Sequence, residues 1–189
     1  MWAFPWRLTS TTIKNIKIRM LDINKMEVDP LGMYREAFRI ALATKSDCRF
    51  SNATVSHAII LIEELLNAAK ATFDIYCMSL GADVWCTKPI LAALTRAFDR
   101  GVRFRVVVQK CPDEGNAAFK FFKDRQIAVY EDKDSGVTSN FVIADGESFR
   151  CEIDNKRREG CAYAVNREYT DILNDMFESL YERSTKLGG

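Results

Sequence analysis

Residues 89–109, PILAALTRAFDRGVRFRVVVQ, contain the change of hydrophobic period that decides the fold class. The first part has apolar residues at helical spacing and stops at Gly101, a residue suited to ending a helix. The second part, residues 103–109, is rich in β-branched valine and indicates a strand. An apolar run over residues 73–77 precedes the helix, so the order strand, helix, strand predicts a right-handed parallel crossover.

The same order repeats once before antiparallel signals replace it. A helix is predicted over residues 116–125 and a strand over residues 127–132. Three apolar runs then follow with only short Gly-containing or charged turns between them: 141–145, 148–153 and 161–165. Such short connections predict an antiparallel meander. The expected fold is therefore α/β, with an open mixed, largely parallel sheet flanked by helices and an antiparallel hairpin or meander near the C-terminus.

Further helices are predicted on both sides of this region. One begins at Pro30, with Asp29 as its cap, and a second follows the turn-like segment 46–54, with Ser56 as a cap candidate. The last covers residues 167–184, and its spacing places seven large side chains on one face: Tyr169, Ile172, Leu173, Met176, Phe177, Leu180 and Tyr181.

The length of 189 residues and the hydrophobic share of 48% suit one folded domain with a substantial core. We place this domain at residues 30–189. Residues 1–29 are interpreted as an N-terminal arm or leader, in which Trp2, Phe4 and Trp6 are candidates for docking a protein partner.

The composition excludes several classes of protein. With 27 basic and 26 acidic residues the formal charge is +1, so nucleic acid or an acidic surface would have to be bound by a local patch. The six cysteines form no CxxC pair and His57 is the only histidine, so we predict reduced thiols, no metal and no cofactor. No apolar stretch reaches the roughly 20 residues that span a bilayer. These features predict a cytoplasmic protein.

The segment Thr138-Ser139-Asn140-Phe141-Val142-Ile143-Ala144-Asp145-Gly146, together with the RGV entry at Arg100, resembles the phospholipase D superfamily. The resemblance covers roughly residues 57–184 and rests on the order of elements. In that family the corresponding strand holds the HKD motif, His-x-Lys followed by Asp. Counting back from Asp145, the histidine position is Thr138 and the lysine position is Asn140.

These departures imply a degenerate motif. In the family an imidazole attacks phosphorus and a lysine ammonium stabilises the charge on the phosphoryl oxygens. A hydroxyl at Thr138 requires a nearby base, and the amide of Asn140 carries no positive charge. The resemblance therefore implies a binding, regulatory or scaffolding module, in settings that include bacterial defence. It also implies a homodimer and contact with nucleic acid or another phosphate-bearing ligand.

Several charged residues are candidates for such a ligand, each with a structural alternative. Arg150 and Glu152 are two residues apart on a predicted strand, so their side chains lie on the same face. They could form the floor of a polar pocket or a solvent-facing ion pair, and we favour the ion pair. Further cations are predicted at a hairpin tip and beyond the next strand, where they could contact phosphate groups or could equally form a solvated turn. They are Lys156, Arg157, Arg158 and Arg167.

The alternative function is a phosphodiesterase or nuclease with a rearranged site. Such a site would use Thr138, Asp145, Arg150, Glu152 or His57. His57 lies at the start of a helix rather than on the motif strand, and Asp145 precedes a glycine at a hairpin turn. We favour a structural role for both residues.

Overall fold

The structure, a computed structural model, describes residues 29–133, 136–154 and 159–187. The helices are α1 (Pro30–Thr44), α2 (Val55–Ala68), α3 (Ala82–Trp85), α4 (Lys88–Asp99), α5 (Ala117–Asp124) and α6 (Arg167–Arg183). The strands are β1 (Arg49–Asn52), β2 (Thr72–Cys77), β3 (Arg103–Val108), β4 (Val129–Glu131), β5 (Phe141–Ala144), β6 (Ser148–Asp154), β7 (Glu159–Tyr163) and β8 (Thr185–Lys186).

All eight strands join one sheet in the order β1-β7-β6-β5-β2-β3-β4-β8. The pairs β2–β3 and β3–β4 are parallel, which confirms the predicted crossovers. The pairs β5–β6 and β6–β7 form the predicted antiparallel meander. The sheet is mixed, as expected, but less of it is parallel than the sequence predicted. The reason is that β1, β5 and β8 all pair antiparallel with strands distant in the chain.

The sheet is covered on both faces, because alternate side chains of its strands enter two separate clusters. Phe73 and Ile75 of β2 face a core built with the helices α2, α4 and α5. Tyr76 points to the opposite face, where it packs with Leu173 and Phe177 of α6. Burial of each large apolar side chain contributes roughly 1.5–3 kcal/mol. The result is a three-layer arrangement of helices, sheet and helix.

Some local predictions were wrong. The cap of α2 is Thr54, whose hydroxyl accepts a hydrogen bond from the backbone N–H of His57 at 3.2 Å, and Ser56 lies inside the helix. The segment read as a turn contains β1. Tyr169 and Ile172 are 53% and 55% exposed, because α6 meets the sheet through Leu173, Phe177 and Leu180.

Two sets of candidate residues lie outside the described residues. They are Trp2, Phe4 and Trp6 of the proposed arm, and Lys156, Arg157 and Arg158, which lie between β6 and β7 in the sequence. Within the ranges that the structure describes, no helix combines the length and the apolar character needed to cross a membrane.

Candidate ligand-binding pocket

A pocket of about 250 Å³ opens where β2 ends and the chain continues into α3. Its polar floor comes from β6 and from the residue before β5: Asn140, Arg150 and Glu152. Its apolar wall comes mainly from α2, α3 and the segment joining β2 to α3: Val55, Ala58, Ile62, Met78, Val84 and Trp85. Ligands of open α/β sheets commonly bind at the carboxyl ends of strands, which is the position of this pocket relative to β2.

Asn140, which the sequence comparison predicts at the lysine position of the motif, forms hydrogen bonds through both polar atoms of its side chain. Its Oδ1 accepts a hydrogen bond from the backbone N–H of Met78 at 2.8 Å. Its Nδ2 donates to Oε2 of Glu152. The two residues are also joined through the backbone, since the N–H of Glu152 donates to the carbonyl of Asn140 at 2.8 Å. Asn140 therefore orients Glu152 and brings no positive charge to the site.

Arg150 and Glu152 lie at the floor of the pocket, 6% and 8% exposed. The distance from Nη2 of Arg150 to Oε1 of Glu152 is 3.6 Å. Burial lowers the pKa of the Arg150 guanidinium, and the charge of Glu152 acts in the opposite direction. The ion pair is therefore buried, and the favoured prediction was wrong about its exposure to solvent. The reason is that β6 is an inner strand between β5 and β7, and α2 packs over this face of it.

The side chain of Asp145 forms hydrogen bonds with the backbone and does not line the pocket. It has φ of 54° and precedes Gly146 with φ of 66°, the pattern of a tight Asp-Gly hairpin turn. Its carboxylate accepts three backbone N–H groups: Lys70 at 2.9 Å, Ala71 at 2.7 Å and Thr72 at 2.9 Å. This carboxylate thereby fixes the entry into β2.

Three further candidates among the described residues do not line the pocket. Thr138 is exposed, and no described residue forms a hydrogen bond with its hydroxyl. The His57 ring packs against Tyr34, with centroids 4.5 Å apart, and is not part of the pocket lining. Arg167 is exposed at the first residue of α6. Among the described candidates, the structure thus brings together Asn140, Arg150 and Glu152 and leaves Thr138, Asp145, His57 and Arg167 outside the pocket.

Sequence reasoning missed several residues of the pocket. Met78, Ser79 and Asp83 follow β2, and their position after a strand that enters a parallel crossover was an available signal. Asn52 is 2% exposed and belongs to β1, which the sequence did not reveal as a strand.

The pocket is poor in groups that attack phosphorus. Among the described residues, its lining contains neither histidine nor lysine. Cys77 lies in the lining, but burial raises the pKa of its thiol to about 12, so the nucleophilic thiolate is scarce at neutral pH. In the described ranges there is also no group of three or more His, Cys, Asp or Glu residues arranged to hold a metal ion.

No model of a known protein family matches the sequence, and no curated protein sequence is significantly similar to it. Solved structures do match. Nuc from Salmonella typhimurium, a phospholipase D family member, has a TM-score of 0.60 at 12% identity, with 75% of this chain and 99% of that chain covered. NucT from Helicobacter pylori has a TM-score of 0.57 at 9% identity, with 74% and 99% covered.

A third solved structure covers more of this chain. TrmBL2, an archaeal chromatin protein described as showing a novel mode of DNA binding, has a TM-score of 0.60 at 12% identity, with 94% of this chain and 69% of that chain covered. At such low identities these matches establish the fold alone. The chain has the fold of the phospholipase D-like proteins.

Proposed function

We propose that this chain, whose fold is phospholipase D-like, is catalytically degenerate and acts as a binding module in regulation or scaffolding. The observation that carries the proposal is the chemistry of the pocket. The lining described above lacks histidine and lysine, and the position of the motif lysine holds Asn140, whose side chain is already hydrogen-bonded to Met78 and Glu152.

The missing groups are the ones that lower the barrier of phosphoryl transfer. A nucleophile must attack phosphorus, and positive charge must stabilise the oxygens as negative charge develops. Removing a single stabilising donor from an enzyme costs on the order of 10² to 10³ in rate. Among the described lining residues, the one guanidinium is that of Arg150, and it lies beside the carboxylate of Glu152. These residues therefore offer little net positive charge.

The proposal includes two kinds of partner. A second copy of this chain is the first, because the family resemblance implies a homodimer. Nucleic acid or another phosphate-bearing ligand is the second, supported by the fold shared with TrmBL2, which binds DNA. The candidates for phosphate contact are the cations that follow β6 in the sequence and the one at the start of α6: Lys156, Arg157, Arg158 and Arg167.

Phosphodiester hydrolysis tests the proposal directly. The chain is assayed with bis(p-nitrophenyl) phosphate and with single- and double-stranded DNA, with and without divalent metal ions. We expect no turnover above the background rate, because no described lining residue supplies an imidazole or an ammonium group.

A matched pair of variants guards against a contaminating enzyme. Glu152→Gln changes the pocket floor, and Glu147→Gln changes an exposed carboxylate on the neighbouring turn, whose partner is Lys45 at 2.7 Å. Turnover that disappears in Glu152→Gln and persists in Glu147→Gln would show a rearranged active site and overturn the proposal.

A further inference from the structure

The guanidinium of Arg150 is buried with few acceptors around it. Its nearest carboxylate oxygen among the described residues, on Glu152, is 3.6 Å away, beyond the usual 2.7–3.2 Å of an N–H···O hydrogen bond. Its Nε has no hydrogen-bond partner in the described part of the chain. Because burying an unpaired polar group costs free energy, such a group at a pocket floor is suited to receive an acceptor from a ligand. A planar carboxylate fits a guanidinium with two parallel hydrogen bonds.

Among the described residues, the pocket floor carries charge of both signs. The carboxylate of Glu152 lies beside the guanidinium of Arg150 there. A ligand that carried negative charge alone, such as a phosphodiester, would meet the carboxylate as well as the guanidinium. A ligand with an ammonium group beside its carboxylate would match both signs.

The remaining lining limits the size and the character of the ligand. The volume of about 250 Å³ lies below the range of roughly 300–1,000 Å³ typical of drug-sized ligands. Trp85 is 5% exposed and Val84 lies beside it in α3, so they present an apolar wall. Met78, 50% exposed, lies in the same lining. This wall suits a short apolar side chain.

We propose that the pocket binds a small zwitterion of the free amino acid type. The carboxylate of the ligand pairs with Arg150, its ammonium group faces the carboxylate of Glu152, and its side chain packs against Trp85. This inference rests on the proposed function, because it assigns a ligand to the pocket of a binding module rather than of an enzyme.

Isothermal titration calorimetry of the full chain with the free L-amino acids tests the proposal. Each amino acid that binds is compared with its decarboxylated amine and its N-acetyl derivative, which lack one charge each, and with inorganic phosphate and bis(p-nitrophenyl) phosphate. We expect at least one amino acid to bind and both derivatives to lose tenfold or more in affinity, because each leaves part of the pocket unpaired.

Variants assign the binding to this pocket. Arg150→Gln combined with Glu152→Gln removes both charges together, so neither is left buried without its partner. This double variant is expected to lose tenfold or more in affinity, whereas Arg167→Gln, an exposed arginine outside the pocket, is expected to bind within twofold of the parent chain. If the double variant does not fold, the comparison of ligand derivatives on the unaltered chain decides.

Three results would overturn the inference: no amino acid binds, the amine binds as well as its amino acid, or a phosphodiester binds in its place. If phosphodiester hydrolysis is also absent, none of these three results contradicts the proposal that the chain is a binding module. Turnover of phosphodiesters at Glu152 would remove both proposals, so the two failures are distinguishable.

Discussion

Asp145, which we predict to be the aspartate of the motif, has a structural role in this fold. Its conformation at positive φ is one that aspartate and asparagine tolerate better than most residues. Its backbone N–H donates to the carbonyl of Thr72 at 2.9 Å, and its carboxylate accepts the three N–H groups that lead into β2. These bonds account for an aspartate at this position without any chemistry on a substrate.

Replacing Asp145 should therefore affect stability. Asp145→Ala leaves three backbone N–H groups without their acceptor, and we expect the free energy of unfolding to fall by roughly 2–4 kcal/mol. Asp145→Asn keeps one acceptor oxygen and should lose less. Urea denaturation measures both, with the exposed Asp175→Ala on α6 as a control expected to stay within about 0.5 kcal/mol. Equal effects of Asp145→Ala and Asp175→Ala would contradict this role.

At the scale of elements, Arg105 joins the sheet to α6. Its Nε and Nη2 donate to the two carboxylate oxygens of the buried Asp74 at 2.7 and 2.8 Å, and the two residues are direct neighbours on β3 and β2. Its Nη1 donates to Glu178 at 2.7 Å, and its guanidinium lies 4.8 Å from the ring centre of Phe177. The hydrogen bonds to Asp74 raise the pKa of Arg105, and the hydrogen bond to Glu178 raises it further by a smaller amount. Burial acts in the opposite direction.

This geometry depends on the planar fork of arginine. Arg105→Lys keeps the charge and loses the paired hydrogen bonds, so we expect the free energy of unfolding to fall by about 1–3 kcal/mol. Arg103→Lys, on the same strand but exposed, is the matched control and should have little effect. Urea denaturation of the two variants decides, and equal losses would show that the fork at Arg105 adds nothing to stability.

At the scale of the whole molecule, the expected assembly is a homodimer. The edge strands of the sheet are short, with four residues in β1 and two in β8, so they offer little backbone for adding a strand from a second copy. We therefore expect the homodimer, which the family resemblance implies, to form through side-chain surfaces.

Analytical ultracentrifugation at tens of micromolar chain measures the assembly. The expected mass is twice the 21.6 kDa of one chain. A mass of 21.6 kDa over this concentration range would show a monomer and remove the homodimer from the proposal. Raised salt serves as a second condition, because it weakens contacts between exposed charges and leaves apolar contacts in place.

Much of the fold was determined by the sequence alone, because its signals are local. The change from helical spacing to a run of valines, the stop at Gly101 and the Asp145-Gly146 turn each depend on a few neighbouring residues. The structure has the phospholipase D-like fold that the sequence comparison predicted, and the placing of Thr138 and Asn140 at the motif positions stays a prediction.

Only the tertiary structure decided what the pocket contains. Arg150 and Glu152 alternate along β6 as solvent-facing residues would, and they are buried because β7 and α2 cover that strand. β1 is a strand because it pairs with β7, which lies more than a hundred residues away in the chain. This pairing brings Asn52 to the pocket. Burial and strand pairing of this kind are set by distant parts of the chain, so no local pattern reports them.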